Sequence, residues 1–254
     1  MPSSPGSRLG HLLRQECLAA LKSLATAGDQ VHAHVHEARK AIRRARSLAA
    51  LVASGFDVES ADGILQRTGD SLSPLRDAHV VALVAGRLGK RPADPHWKQA
   101  AATLEMRAER LVRRELAADP GFARRRRALR RAAKLLEPLP WRELKDGDIR
   151  EALVRQSRRV ERAARRAKKD PTPDNLHRWR RRVRRLRMQL DALDSLGIDA
   201  IGHDPAASKR LHRLGDRLGA RQDLVVLAGV LRRLRTLPHR RELLRQLDEK
   251  IAAP

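Results

Sequence analysis

The 254 residues carry 55 Lys and Arg against 30 Asp and Glu, a formal charge of +25, with 2% aromatic residues and no Tyr. That balance implies a polyanionic partner (nucleic acid, anionic lipid or inorganic phosphate polymer), while the scarcity of rings disfavours partners held by base stacking. The lone Cys17 excludes an intramolecular disulfide framework and a thiolate zinc site and suits a reducing cytosol. The opening MPSSPGSRLGHLLRQE has no apolar core long enough for a signal peptide, and no window approaches ~18 uncharged apolar residues. A cytoplasmic location without membrane insertion is therefore expected.

Residues 1–7 are rich in Ser, Pro and Gly and are predicted to be disordered. A first helix is predicted over 8–27, with Leu9, Leu12, Leu13, Cys17, Leu21 and Leu24 on one face, Gly28 as its stop and Asp29 as the next N-cap. Further helices are predicted over 31–53, 57–68 and 71–89, the last with Ser73 as N-cap and Pro74 at its first position. A mixed-charge helix follows over 94–118 and a basic one over 120–136. The segment 137–148, EPLPWRELKDGD, reads as a connector. Beyond it lie helices over 149–169, 175–193, 218–234 and 238–252, with PTPDN breaking the chain at 171–175. No stretch alternates with period two, so the fold class is all-α.

The helix from Asn175 to Leu193 is divided lengthwise. At roughly 100° per residue, Leu176, Trp179, Val183, Leu186, Leu190 and Leu193 share one arc, and His177, Arg180, Arg181, Arg184, Arg185 and Arg187 lie opposite. Seven like-charge pairs stand at i,i+3 or i,i+4 along it, a repulsion on the order of 1–3 kcal/mol in an isolated helix. Only Asp174 and Asp191 can offset it locally, so an anion is expected on that face.

The pattern occurs twice. His36, Arg39, Lys40, Arg43, Arg44 and Arg46 overlay the second basic set at a constant offset of 141. Further on, Leu65, Gly69, Asp70, Leu72, Asp77 and Val80 overlay Leu211, Gly215, Asp216, Leu218, Asp223 and Val226 at an offset of 146, which implies about five residues gained within 197–206. The chain is accordingly divided into two repeats, 8–136 and 149–254, joined by 137–148 into one domain over 8–254.

VHEARKAIRRAR with LSPLRDAHVVAL, and LHRWRRRVRRLR with LGARQDLVVLAG, resemble the paired signature of the CHAD family, the conserved histidine α-helical domain. The resemblance covers nearly the whole chain. It implies two pseudo-symmetric, antiparallel helical-bundle halves around a central basic channel. It further implies a ligand, inorganic polyphosphate, and an association with polyphosphate granules or with triphosphate-tunnel enzymes. On this resemblance the twelve residues from the two basic sets are the polyphosphate-binding candidates, with Lys209 and Arg213 added as weaker ones. Free sulfate or phosphate is expected at the same place. Asp77 and Asp223, at matching positions in helices poor in acid, are expected to orient basic side chains. Ala38 stands where the family commonly has a larger aliphatic, which concerns packing.

His32 and His36 share a helix face, but His34 points away and the nearest acid is Glu37, so neither a metal nor a cofactor is expected. There is no phosphate loop, nucleophile elbow or H-E-x-x-H motif, and no carboxylate pair placed for acid–base work. The expected function is non-enzymatic polyphosphate binding. The alternatives are a nucleic-acid-binding protein and an accessory part of a polyphosphate- or triphosphate-processing enzyme.

Overall fold

The computed structural model describes residues 4–26, 28, 30–90, 93–198 and 205–252. Among these residues the chain forms ten α-helices and no strand, so it is all-α. Two compact units are made, residues 1–72 with 121–216 and residues 73–120 with 217–254. Each unit takes segments from both sequence repeats, and the boundary between units does not fall in the 137–148 connector.

The first unit holds α1 (Pro5–Ala25), α2 (Val31–Val52), α3 (Glu59–Ser71), α6 (Ala123–Leu135), α7 (Asp146–Lys169), α8 (Pro173–Ser195) and the start of α9 (Pro205–Arg233). Leu9, Leu13, Cys17, Ala20 and Leu24 of α1 are buried, as are Val35, Ala38, Ile42, Ala45 and Ala49 of α2, the helix against which α1 packs most extensively. The predicted apolar period is thus the packed face. The alanines present little side chain and so permit close approach of the two backbones. In α8, Val183, Leu186, Leu190 and Leu193 are buried as expected, while Leu176 and Trp179 are only partly covered.

Three boundaries differ from the sequence reading. α1 begins at Pro5, inside the stretch predicted to be disordered: Ser4 Oγ accepts from the Ser7 amide at 3.2 Å, and proline occupies the first turn, where its missing N–H costs nothing. The connector is folded, with a 3-10 turn at Trp141–Glu143 seated on α1. α9 is one unbroken helix, because Ala220 stands where the first repeat has Pro74; the matching part of the first repeat is two helices, α3 and α4 (Ser73–Leu88). Asp29 and most of the predicted insertion at 197–206 lie outside the described residues.

The second unit holds α4 (Ser73–Leu88), α5 (Pro95–Ala118), the remainder of α9 and α10 (Arg240–Ala252). Its core joins Val81, Val84 and Ala85 of α4 to Trp97, Ala100 and Leu104 of α5. Leu227 and Leu231 of α9 and Leu243 and Leu247 of α10 complete it. Asp94 caps α5 by accepting from the His96 and Trp97 amides at 2.8 and 3.3 Å.

Gly10 lies directly under the Trp141 ring, and a Cβ there would fall inside contact distance of it. Gly10→Ala is therefore expected to destabilise the chain by about 1–3 kcal/mol through overpacking. A lowered urea midpoint is the check; an unchanged one would mean that the connector does not seat on α1.

Candidate anion-binding cleft

The basic faces of α2 and α8 meet because of a small buried junction. Ser47 and Met188 occupy matching positions of the two repeats (47 + 141 = 188), and Ser47 Oγ lies 3.7 Å from Met188 Sδ. The Gln189 side-chain amide donates to the Ser47 carbonyl at 2.9 Å, and all three side chains are buried. Arg43 and Arg46 lie one turn and one residue before Ser47, and Arg184 and Arg185 lie just before Met188. The contact that packs the helices therefore aims both rows into one space.

That space is a cleft of about 430 Å³ within the first unit, lined by Arg43, Arg46 and Ser47 of α2 and by Asp174, His177, Arg178, Arg181, Arg182, Arg184, Arg185 and Met188 of α8. Seven guanidinium groups and an imidazole face one carboxylate. Six of the twelve signature residues are brought together: Arg43, Arg46, His177, Arg181, Arg184 and Arg185.

The other six lie outside the lining. Arg39 donates to the Gly69 carbonyl, in the last turn of α3 where helix carbonyls attract cations. Arg44 turns to α1 and donates to Glu16 at 2.6 Å, and Lys40 pairs with Glu37 at 3.1 Å. Arg187 lies 3.8 Å from Asp191 and 3.3 Å from His212 Nδ1. Arg180 is half-buried elsewhere on α8, and His36 is exposed on α2. Lys209 and Arg213 are exposed on the first part of α9, also outside the lining. Arg39 and Arg44 meet a neighbouring helix before they could reach the cleft.

Arg46 is in the cleft but is also held. It forks onto Asp62 at 2.7 and 3.0 Å and donates to Gln66 at 2.9 Å. Arg185 is pressed from two sides: burial pushes its acidity up, the guanidinium of Arg46 adds to this, and Asp62 opposes. Arg182 is pressed likewise, by burial first and then by Arg159, Arg181, Arg178 and Arg162. Because a guanidinium does not give up its proton in a protein, the downward shift expresses loss of water by burial and, after that, crowding by like charge rather than neutralisation. An anion placed among these groups relieves the crowding.

Arg178 and Arg182 were not singled out from sequence. Their counterparts in the first repeat are Glu37 and Ala41, so a search for repeated cations passes over them, although both belong to the like-charge ladder of α8. Arg159 and Arg162 of α7 reach Arg182 only through packing. The buried Gln156 amide donates to the Arg182 carbonyl at 3.2 Å and fixes α7 beside α8.

The matched aspartates converge in the second unit. Asp77 lies 2.9 Å and Asp223 lies 3.4 Å from the two terminal nitrogens of Arg76. They hold a basic side chain between them, and it is Arg76, a residue outside the signature set.

Buried Cys17 has its thiol pushed up to about 12, by burial and then by Glu16, which removes it as a nucleophile at neutral pH. Among the described residues no helix is long and apolar enough to cross a membrane.

The comparisons with known proteins agree with this architecture. A search of curated proteins returned no match. The chain is similar in fold to the crystal structure of the CHAD domain from the plant Ricinus communis. The TM-score is 0.68 at 19% identity, over 98% of this chain and 86% of that one. The family model described as CHAD domain matches residues 12–232, a span that contains both basic helices together with LSPLRDAHVVAL and LGARQDLVVLAG. With the paired signature, the all-α fold and the family model in agreement, the chain belongs to the CHAD domain family.

Proposed function

We propose that the α2–α8 cleft binds inorganic polyphosphate and performs no chemistry on it. The family is associated with polyphosphate- and triphosphate-related proteins. The observation that carries the reading for this chain is the cleft's composition: seven arginines and His177 around a space with one carboxylate. Polyphosphate presents only oxygens and about one charge per phosphate, so forked guanidinium donors on rigid helices are its natural receptor. The large tryptophans Trp97 and Trp141 serve packing, one in the core of the second unit and one against α1, and no Phe or Trp lines the cleft. A partner stacked base by base on Phe, Tyr or Trp rings finds none there. Cytoplasmic placement beside polyphosphate granules belongs to the same proposal.

Arg43→Glu combined with Arg184→Glu is expected to weaken polyphosphate binding by more than about tenfold, about 1.4 kcal/mol. Relief of the like-charge contacts is expected to raise the thermal midpoint of the ligand-free protein. Undiminished binding by the folded variant would contradict the assignment. Native affinity is expected to fall as salt rises, by counterion release.

Two further measurements separate the rival readings. Short duplex DNA at matched phosphate concentration is expected to leave long-chain polyphosphate bound; displacement would favour nucleic acid. Incubation with polyphosphate, Mg²⁺ or Mn²⁺ and nucleotide is expected to leave chain length unchanged, and shortening or growth of the polymer would make the protein an enzyme.

A further inference from the structure

A second cluster, made of residues that neither signature copy contains, lies in the unit built from α4, α5, α9 and α10. His96 stands in the first turn of α5, His239 immediately precedes α10, and Glu242 is in the first turn of α10. The rings of His96 and His239 stack with centroids 3.7 Å apart and planes 13° apart. One donor atom from each of His96, His239 and Glu242 falls within 4.8 Å of the others. Glu242 Oε2 lies 4.0 Å from His96 Nδ1, too far for a hydrogen bond and close enough to share an ion.

The corner that holds these groups is rigid. Trp97 Nε1 donates to Gln246 Oε1 at 2.6 Å, and Gln246 Nε2 reaches Asp94 Oδ2 at 3.4 Å, so the start of α5 is tied to α10. Trp97, Leu243 and Leu247 are buried beneath it. His239 adopts φ +54°, a left-handed backbone that side-chain-bearing residues rarely take, and its carbonyl accepts from the Leu243 amide at 3.1 Å. That conformation brings its imidazole over His96.

We propose that His96, His239 and Glu242 form a binding site for a divalent transition-metal ion, with zinc as its reference occupant. Two imidazole nitrogens and one carboxylate oxygen are a donor set suited to zinc and its neighbours, whereas calcium and magnesium prefer oxygen alone. Tetrahedral zinc with bonds of about 2.0–2.2 Å sets its donors about 3.4 Å apart, so one of the two stacked rings must turn out of the stack for both nitrogens to point at one ion, and the partial exposure of these side chains leaves room for that turn. Three protein ligands leave a fourth position on the solvent side for water or an anionic oxygen. The site is independent of the arginine cleft and of the ligand proposed for it.

The test uses the full chain, stripped with EDTA and titrated with zinc chloride in phosphate-free buffer, with cobalt(II) absorption as a second readout. One zinc per chain is expected, together with the visible bands of low-coordinate cobalt. His239→Gly and Glu242→Gln should each weaken zinc binding at least tenfold. A His32→Ala/His34→Ala control, which alters the other histidine group, should bind as the native chain does. Glycine suits a left-handed backbone, so His239→Gly in EDTA should melt no lower than the native protein. Absence of stoichiometric uptake by the native chain, or native affinity in His239→Gly or Glu242→Gln, overturns the proposal.

Discussion

The cationic face of this protein depends on a junction that carries no charge. Ser47, Met188 and Gln189 lock α2 against α8 through a buried amide-to-carbonyl hydrogen bond and close packing. That lock points two rows of arginine at each other, and like charges do not choose such an arrangement for its own sake. The apolar halves of the same helices, with Val35, Ile42, Val183 and Leu186 among their buried residues, supply the burial that holds the rows together. Association in the core therefore imposes crowding at the rim. A ligand that binds only the folded, crowded form then stabilises it by mass action.

Repetition of the signature does not give repetition of role. In the first copy most cations are tied down: Arg39 to the end of α3, Arg44 to Glu16, Arg46 to Asp62. In the second copy Arg181, Arg184 and Arg185, joined by Arg178 and Arg182, face the cleft. The α2 wall is steadied by an acid of α3 through Arg46, and the opposite wall holds most of the charge. Asp62 sits where it steadies Arg46 and also tempers Arg185, so a single carboxylate moderates both walls without neutralising either.

Much of this was legible in the sequence because helical periodicity and an internal repeat are local signals. The period of Leu9, Leu13, Cys17 and Leu24 gave the buried face of α1, and the two basic stripes gave the helices that line the cleft. Which stripe residues reach the cleft was not legible, since that depends on the angle and rotation at which α8 meets α2. Arg44 and Arg185 occupy matching positions, yet one finds Glu16 and the other finds the cleft. Continuity of α9 was readable in principle from Ala220 in place of Pro74. Folding of residues 4–7 was missed because Ser, Pro and Gly serve equally well in a cap and in a disordered tail. His96 and His239 stand far apart in the chain, so no spacing motif announces them.

The direct test of the central claim is to locate a bound anion by crystallography, in crystals grown with inorganic triphosphate or short-chain polyphosphate. The account predicts phosphoryl oxygens within hydrogen-bond reach of Arg43 on one side and of Arg181, Arg184 and Arg185 on the other, inside the cleft bounded by Ser47 and Met188. Anion found only on the exposed arginines of α6 or α7, with the cleft holding water alone, would contradict it.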